Sequence, residues 1–266
     1  VRKTIVKYLR IYGLFVKSCL MAQMEYRFNF LMGIGVETAF LFAKMLYVIV
    51  VYQADVHIAG LSPDSILMFV GTYTMMTGLY MGLFAMNFYQ IPEQVLQGKL
   101  DLLLTKPVSL QFMLTLRRVD FGLPLPNVIG GIAMIAIGWG RTGIPVTIGN
   151  IAGFMFFLVM AVALTYALFL IPQLTSFWFG QIRGLNSIAD AVWDFNNMPM
   201  AIYKRWIQQV GIFVLPIFMI TNFSPLFVMD RLEVGYFAWA IAAPLLLLAV
   251  ARLIWSAALR NYSSAN

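Results

Sequence analysis

The sequence predicts an all-α polytopic membrane protein. It reads as a single transmembrane domain over residues 1–266, with six transmembrane helices and both termini on the cytoplasmic side. Three observations carry this. The 266-residue chain is 61% hydrophobic and 11% charged, where soluble domains run near roughly half and a quarter. The apolar excess comes as separate long runs, and mean hydropathy is +0.83. The basic residues behind the net charge of +7 gather at the ends of those runs. A basic balance can signal nucleic acid, but charge placed at the ends of apolar runs is explained by a membrane, so no nucleic-acid partner is expected. No wet segment is long enough for a soluble catalytic domain. One cysteine, Cys19, and one histidine, His57, rule out an internal disulfide and a Cys/His metal cluster. Arg2-Lys3 looks like the start of a leader, but Lys7, Arg10 and Lys17 interrupt what would be its apolar core, so no cleavable signal peptide is expected.

Residues 2–27 read as an amphipathic helix. Lys3, Lys7, Arg10 and Lys17 share one face, and Ile5, Leu9, Tyr12, Val16 and Cys19 another. Such a helix lies in the interface of an anionic leaflet or packs on its own protein. The first span, about 28–51, holds Glu37 and Lys44. Charges inside a span cost roughly 2.5–3.5 kcal/mol on insertion scales and usually face the bundle interior. Seven residues apart, the two sit on one face but too far for a direct pair. Each then meets a partner on another helix, or Lys44 reaches for the interface. Their roles stay open between pathway lining and interhelix contact.

Gln53 to Asp64 is a wet loop without Lys or Arg. The second span, about 65–89, aligns Gly71, Gly78 and Gly82 on one face, a small-xxx-small pattern that permits close helix approach and offers a possible dimer face. The loop 90–118 follows. Within it, Glu93 to Phe112 reads EQVLQGKLDLLLTKPVSLQF. Val95, Leu96, Leu100, Leu103 and Leu104 recur at helical spacing opposite Glu93, Gln94, Gln97, Lys99 and Asp101, which predicts one short amphipathic surface helix. Pro92 suits its first turn and Lys106-Pro107 ends it. The plain alternative is a wet loop that joins two spans.

The third span, about 119–139, carries Pro124 and Pro126 early, where a kink or break is expected. Gly138 to Pro145 is a turn-rich loop. The fourth span, about 148–170, extends towards Phe179 with Pro172 as a bend. A second cytoplasmic segment, 181–205, starts at Gln181 and keeps Ile182, Leu185, Ile188, Val192 and Phe195 at helical spacing. Its Asp190 and Asp194 lie four apart, a pair that without a pocket or third polar group reads as a solvated or partner-facing surface rather than a catalytic dyad. The fifth span, about 206–220, is short and contains Pro216; the stretch after it, from Asn222 with Pro225, is the candidate for a re-entrant segment. The sixth span, about 236–259, ends at Arg260 and a polar tail.

Orientation follows from the positive-inside rule. One set of wet segments holds the basic residues from Arg2 to Arg27, then Lys99, Lys106, Arg117, Arg118, Arg183, Lys204, Arg205, Arg252 and Arg260; the other holds Arg141 and Arg231. Five or seven spans would put a basic cluster outside. No Walker A, Gly-x-Ser-x-Gly, His-Glu-x-x-His or Cys-x-x-Cys motif occurs. The two halves show no evident repeat, which argues against inverted-repeat secondary transporters.

Residues Gln97 to Val108, QGKLDLLLTKPV, resemble the cytoplasmic loop of ABC type-2 exporter permeases, in particular the bacterial six-span group of about this length. Chain length, span count and the basic N-terminal helix agree with it. The resemblance implies that the helix over 2–27 is the "elbow" before the first span. It implies a coupling helix between spans two and three that docks on a separate cytoplasmic ABC ATPase, with Glu93, Gln97, Gly98, Lys99, Leu100, Asp101, Lys106 and Pro107 taking the contact. ATP and Mg²⁺ would sit on two copies of that ATPase, with no cofactor on this chain. A second permease, identical or homologous, would complete a half-transporter in the inner (cytoplasmic) membrane, surrounded by lipid. The expected activity is outward transport of a hydrophobic or amphiphilic substrate by alternating access. The competing expectation is an ion- or proton-coupled carrier that works alone through Glu37.

Overall fold

A computed structural model describes residues 2–262 apart from 56, 58, 59, 181 and 183. Gln181, Arg183, the Arg2 side chain and the tail beyond Tyr262 lie outside the described residues. The described chain is helical, with no strand. Its helices are α1 (Arg2–Glu25), α2 (Arg27–Gln53), α3 (Pro63–Tyr80), α4 (Met86–Phe88), α5 (Ile91–Leu96), α6 (Leu100–Leu104), α7 (Leu110–Leu116) and α8 (Pro124–Arg141). They continue as α9 (Ile148–Leu174), α10 (Ser176–Phe179), α11 (Leu185–Asp194), α12 (Arg205–Gln209), α13 (Met219–Val228) and α14 (Val234–Asn261). Two single π-turns, Met81–Ala85 and Val210–Val214, follow α3 and α12.

Four stretches are long and apolar enough to cross a membrane: Arg27–Gln53, Pro63–Leu96, Ile148–Phe179 and Val234–Asn261. A fifth is reached if the bent pair Arg205–Val214 and Met219–Val228 counts as one span. The predicted third span, α8, is not among them, because Pro124, Pro126, Asn127 and Arg141 dilute its 18 residues. Its prolines do not kink it. They occupy the first turn, where no intrahelical N–H is required, so the helix starts at Pro124 instead of bending there.

The predicted fifth span, 206–220, is not one helix. The two segments meet at 106°. Pro216 has no N–H to donate and forces Leu215 towards extended backbone, at φ −117° and ψ 84°. Phe218 N then closes the turn on Gly211 O at 3.0 Å.

Sequence explains the other boundaries. Ser62 caps α3, its Oγ accepting from Ser65 N at 3.2 Å ahead of Pro63. Thr147 caps α9 in the same way through Asn150 N, at 3.1 Å. α3 is the centre of the molecule: the stretch it opens, Pro63–Leu96, has 78% of its most apolar window buried, against 11% for α2. The larger core joins α3, α9, α13 and α14 around Tyr80, Phe88, Phe218, Phe223 and Trp255.

The most extensive helix contact is between α3 and α8, and glycines make it possible. A Cβ on Gly71 would stand 2.9 Å from Gly131 O, and one on Gly78 2.7 Å from Val128 Cγ2. A Cβ on Gly82 would stand 2.9 Å from Pro124 Cγ, and one on Gly131 2.5 Å from Met75 N. The glycine face read from the sequence as a possible dimer surface is therefore filled by α8 of the same chain. Close backbone approach, which drives helix pairing in lipid, is used here inside the fold.

Candidate functional site

The segment between α3 and α8 does not form one amphipathic helix. α5 ends in a Schellman turn: Gly98 takes φ +64°, Lys99 N donates to Gln94 O at 3.1 Å, and Gly98 N donates to Val95 O at 3.3 Å. The chain then restarts as α6. A glycine that adopts the left-handed conformation without penalty converts the expected helix into two short ones set at an angle.

This break decides which residues face outward. Glu93, Gln97 and Lys99 form one small polar group: Gln97 Nε2 donates to Glu93 Oε1 at 2.9 Å, and Lys99 Nζ lies 3.8 Å from the same oxygen. Leu100, placed by the sequence among the contact residues, is fully buried, with Leu103 beside it. It supports the segment from within and is not on its surface. Asp101 turns to the end of the chain, where its Oδ1 accepts from Tyr262 OH at 3.1 Å. Burial, and with it this carboxylate, pushes the Tyr262 phenol above its usual range, so the phenol stays a neutral donor. Lys106 and Pro107 are exposed, and the Pro107 carbonyl accepts from Lys7 Nζ of α1 at 2.8 Å.

Three elements hold the segment. α1 runs beside residues 107–121: Ser109 N donates to Tyr8 OH at 3.0 Å, and Gln23 brackets Val119 O and Phe121 N at 3.0 and 3.1 Å. Tyr8 packs edge-on to Phe112, with ring centroids 4.9 Å apart. α10 packs on α5, and Tyr262 at the end of α14 reaches Asp101. The outward surface of the segment is apolar at its tip, with Leu102 74% and Leu104 52% exposed. Neither Leu102 nor Tyr262 was distinguishable by sequence. Helical spacing grouped Leu100, Leu103 and Leu104 on one face, and only the turn at Gly98 leaves Leu104 outside with Leu102 while Leu100 and Leu103 go in.

The second polar group lies among the long helices. Asn127 of α8, itself buried, bridges both charges of α2: its Nδ2 donates to Glu37 Oε2 at 2.7 Å, and Lys44 Nζ donates to its Oδ1 at 3.5 Å. Lys44 Nζ also sits 5.2 Å from the centroid of the Tyr73 ring, whose OH donates to Asp194 Oδ1 at 3.4 Å. One turn earlier in α11, Asp190 accepts from Tyr89 OH. Trp193, between them, donates to Thr77 Oγ1 at 3.2 Å and stacks on Tyr80. Asp190 and Asp194 remain exposed while each accepts from a tyrosine of the α3 stretch. α11 thus lies along α3 and does not stand away as a free loop. Asn127, Tyr73 and Tyr89 carried no signal in the sequence, because a lone amide or phenol in an apolar run has no visible partner.

These arrangements are those of a multi-span bundle with one pinned, leucine-tipped segment at its basic end. Comparison with protein families finds that residues 38–266 match the family model described as ABC-2 family transporter protein. The chain belongs to the ABC-2 transporter family. It is a multi-pass membrane permease, a class that generally lacks an ATP-binding site of its own and works with an ABC ATPase. Comparison with curated proteins and with solved structures returns no match.

Proposed function

We propose that this ABC-2 permease is the membrane subunit of an ATP-driven exporter, and that α5–α6 is its coupling element. The observation that carries this is the way the segment is held. Its leucine tip is exposed, while its roots are tied to α1 through Pro107 and Ser109, to α10 through α5, and to α14 through Asp101. A push on the tip therefore reaches the helices around α3 together. In this reading α8 is the third span. α12 and α13, with the bend between them, together replace a straight fifth span, and both termini lie on the basic, cytoplasmic side. Two ATPase copies carry ATP and Mg²⁺, a second permease completes the path, and the cargo is hydrophobic or amphiphilic, moved outward by alternating access in the inner membrane.

Contact with the ATPase then falls on Leu102, Leu104, Gln97, Lys99 and Lys106 rather than on Leu100. Asp101 is a poor probe, because changing it also breaks the Tyr262 contact. Leu104→Glu is cleaner, since Leu104 is exposed. Co-purified ATPase and permease should lose stimulated ATP hydrolysis in this variant by about tenfold or more, the scale of a lost interface anchor, while the permease still elutes as a folded particle. Undiminished association and stimulation would remove α6 from the contact. The proton-carrier reading has less support, because Glu37 is occupied by the Asn127 amide.

A further inference from the structure

Two cavities of about 580 Å³ each meet at Arg118. The first opens among α5, α6 and α7. Its rim carries Lys99, Lys106, Arg117 and Arg118, and its single acid is Glu93. Glu93 already pairs with Lys99 at 3.8 Å and accepts from Gln97. Among the described residues, the Lys106 ammonium and the Arg117 and Arg118 guanidinium groups have no hydrogen-bond or ion-pair partner in the chain. The floor is apolar, formed by Leu103, Met113 and Leu114. The second cavity lies between α1, the start of α2 and the start of α8, with Ala22, Phe30, Gly33, Met86 and Leu123 in its walls. It is largely apolar. Its one carboxylate, Asp120, accepts from Gly122 N at 2.9 Å.

We infer that the paired cavities form one binding site for an anionic phospholipid. The phosphodiester sits between Arg117, Arg118 and Lys106, and an acyl chain enters the apolar cavity beside α1 and α2. Guanidinium groups match a phosphodiester through paired N–H donors. Basic residues at the cytoplasmic rim of a span attract anionic lipid by about 1 kcal/mol each. Charge complementarity alone also fits a free phosphate. The adjoining apolar cavity, which shares Arg118, selects the lipid, because a free anion would leave that cavity without an occupant. A lipid held there would wedge the α1–α2 junction against the coupling segment and make coupling sensitive to headgroup charge. The inference rests on the membrane placement of the chain but not on the identity of its energy source.

The test uses the purified full-length permease in detergent, without ATPase. Native mass spectrometry reads retention of phosphatidylglycerol against phosphatidylcholine of the same chains, supplied together. The wild type should retain phosphatidylglycerol with a preference of roughly thirtyfold or more, the scale of two to three such basic contacts. Arg117→Gln with Arg118→Gln should reduce the preference to about fivefold or less, the scale of the one contact that remains. Lys106→Gln alone should reduce it part-way, which covers the case where the double variant does not fold. Lys204→Gln with Arg260→Gln removes equal charge away from the cavities and should leave the preference intact. Ala22→Trp fills the apolar cavity and should lower retention without changing the elution volume. Undiminished preference in the folded double variant and in Lys106→Gln, or no preference in the wild type, overturns the site. If millimolar inorganic phosphate displaces the lipid and Ala22→Trp changes nothing, the ligand is a free anion and the lipid assignment is overturned. Leu104→Glu should retain phosphatidylglycerol normally, so failure of this inference and failure of the coupling assignment are distinguishable.

Discussion

α2 and α3 are both long apolar helices, and by composition they are near equals. In the fold they are opposites: the Pro63–Leu96 stretch that α3 opens is 78% buried over its most apolar window and α2 is 11% buried. α3 gives its glycine face to α8 and its aromatic face to α11 and α9. α2 touches the bundle chiefly through α8, where Asn127 holds Glu37 and Lys44, and leaves Phe40, Phe42 and Leu46 outside. Hydropathy reports that a helix is expelled from water. It does not report whether lipid, a second chain or its own chain receives it. Gly71, Gly78 and Gly82 on one helix, and a charged pair on the other, are what separate the two roles.

The comparison can be broken at its tight side first. Gly131→Val places a Cβ within 2.5 Å of Met75 N, a backbone atom that cannot step aside. Overpacking costs about 1–3 kcal/mol or more, and a backbone clash belongs at the upper end. The variant should lose its monodisperse elution peak in mild detergent; a normal thermal melt would mean that the α3–α8 seam is looser than described.

Asn127→Leu comes next. It removes the one amide that serves both α2 charges and should cost about 1–3 kcal/mol in melting measurements, the range for leaving polar groups without partners. Glu37→Gln keeps a hydrogen-bond acceptor for Asn127 and should cost less, near the ~0.6 kcal/mol average for interhelical bonds in membranes. If Glu37→Gln costs more than Asn127→Leu, the bridge is not what holds α2.

The smallest effect belongs to the open face of α2. Phe40→Ala, at a site 61% exposed, should change monomer stability by no more than about 0.5 kcal/mol. A change in oligomer mass with unchanged monomer stability would assign that face to a second permease, and no change in either would assign it to lipid.

The α5–α6 segment shows where sequence reading stops. QGKLDLLLTKPV marks the place, and the spacing of its leucines marks a helix. Gly98 also stands in plain view, but its left-handed φ appears only once Lys99 N has found Gln94 O. With that turn in place Leu100, a contact residue by the resemblance, goes inside, and Leu104, on the apolar face by spacing, comes out beside Leu102. Arg117 and Arg118 were legible as orientation charges, while their convergence with Lys106 over one cavity depends on α7 folding back beside α6. Pro124 and Pro126 show the reverse situation. Their chemistry was legible as a kink or a break, and only the structure chose the break, with the helix starting at Pro124.

By itself, the sequence determined the class: apolar run length, basic residues at one set of run ends and a recognisable loop are local properties, and transfer from water to lipid acts on them one segment at a time. Tertiary structure decided the partners. Which glycine face closes, which carboxylate meets which phenol and which leucine is left outside depend on groups far apart in the chain arriving within a few ångströms of each other, and a hydrogen bond or a Cβ contact has no energy until they do.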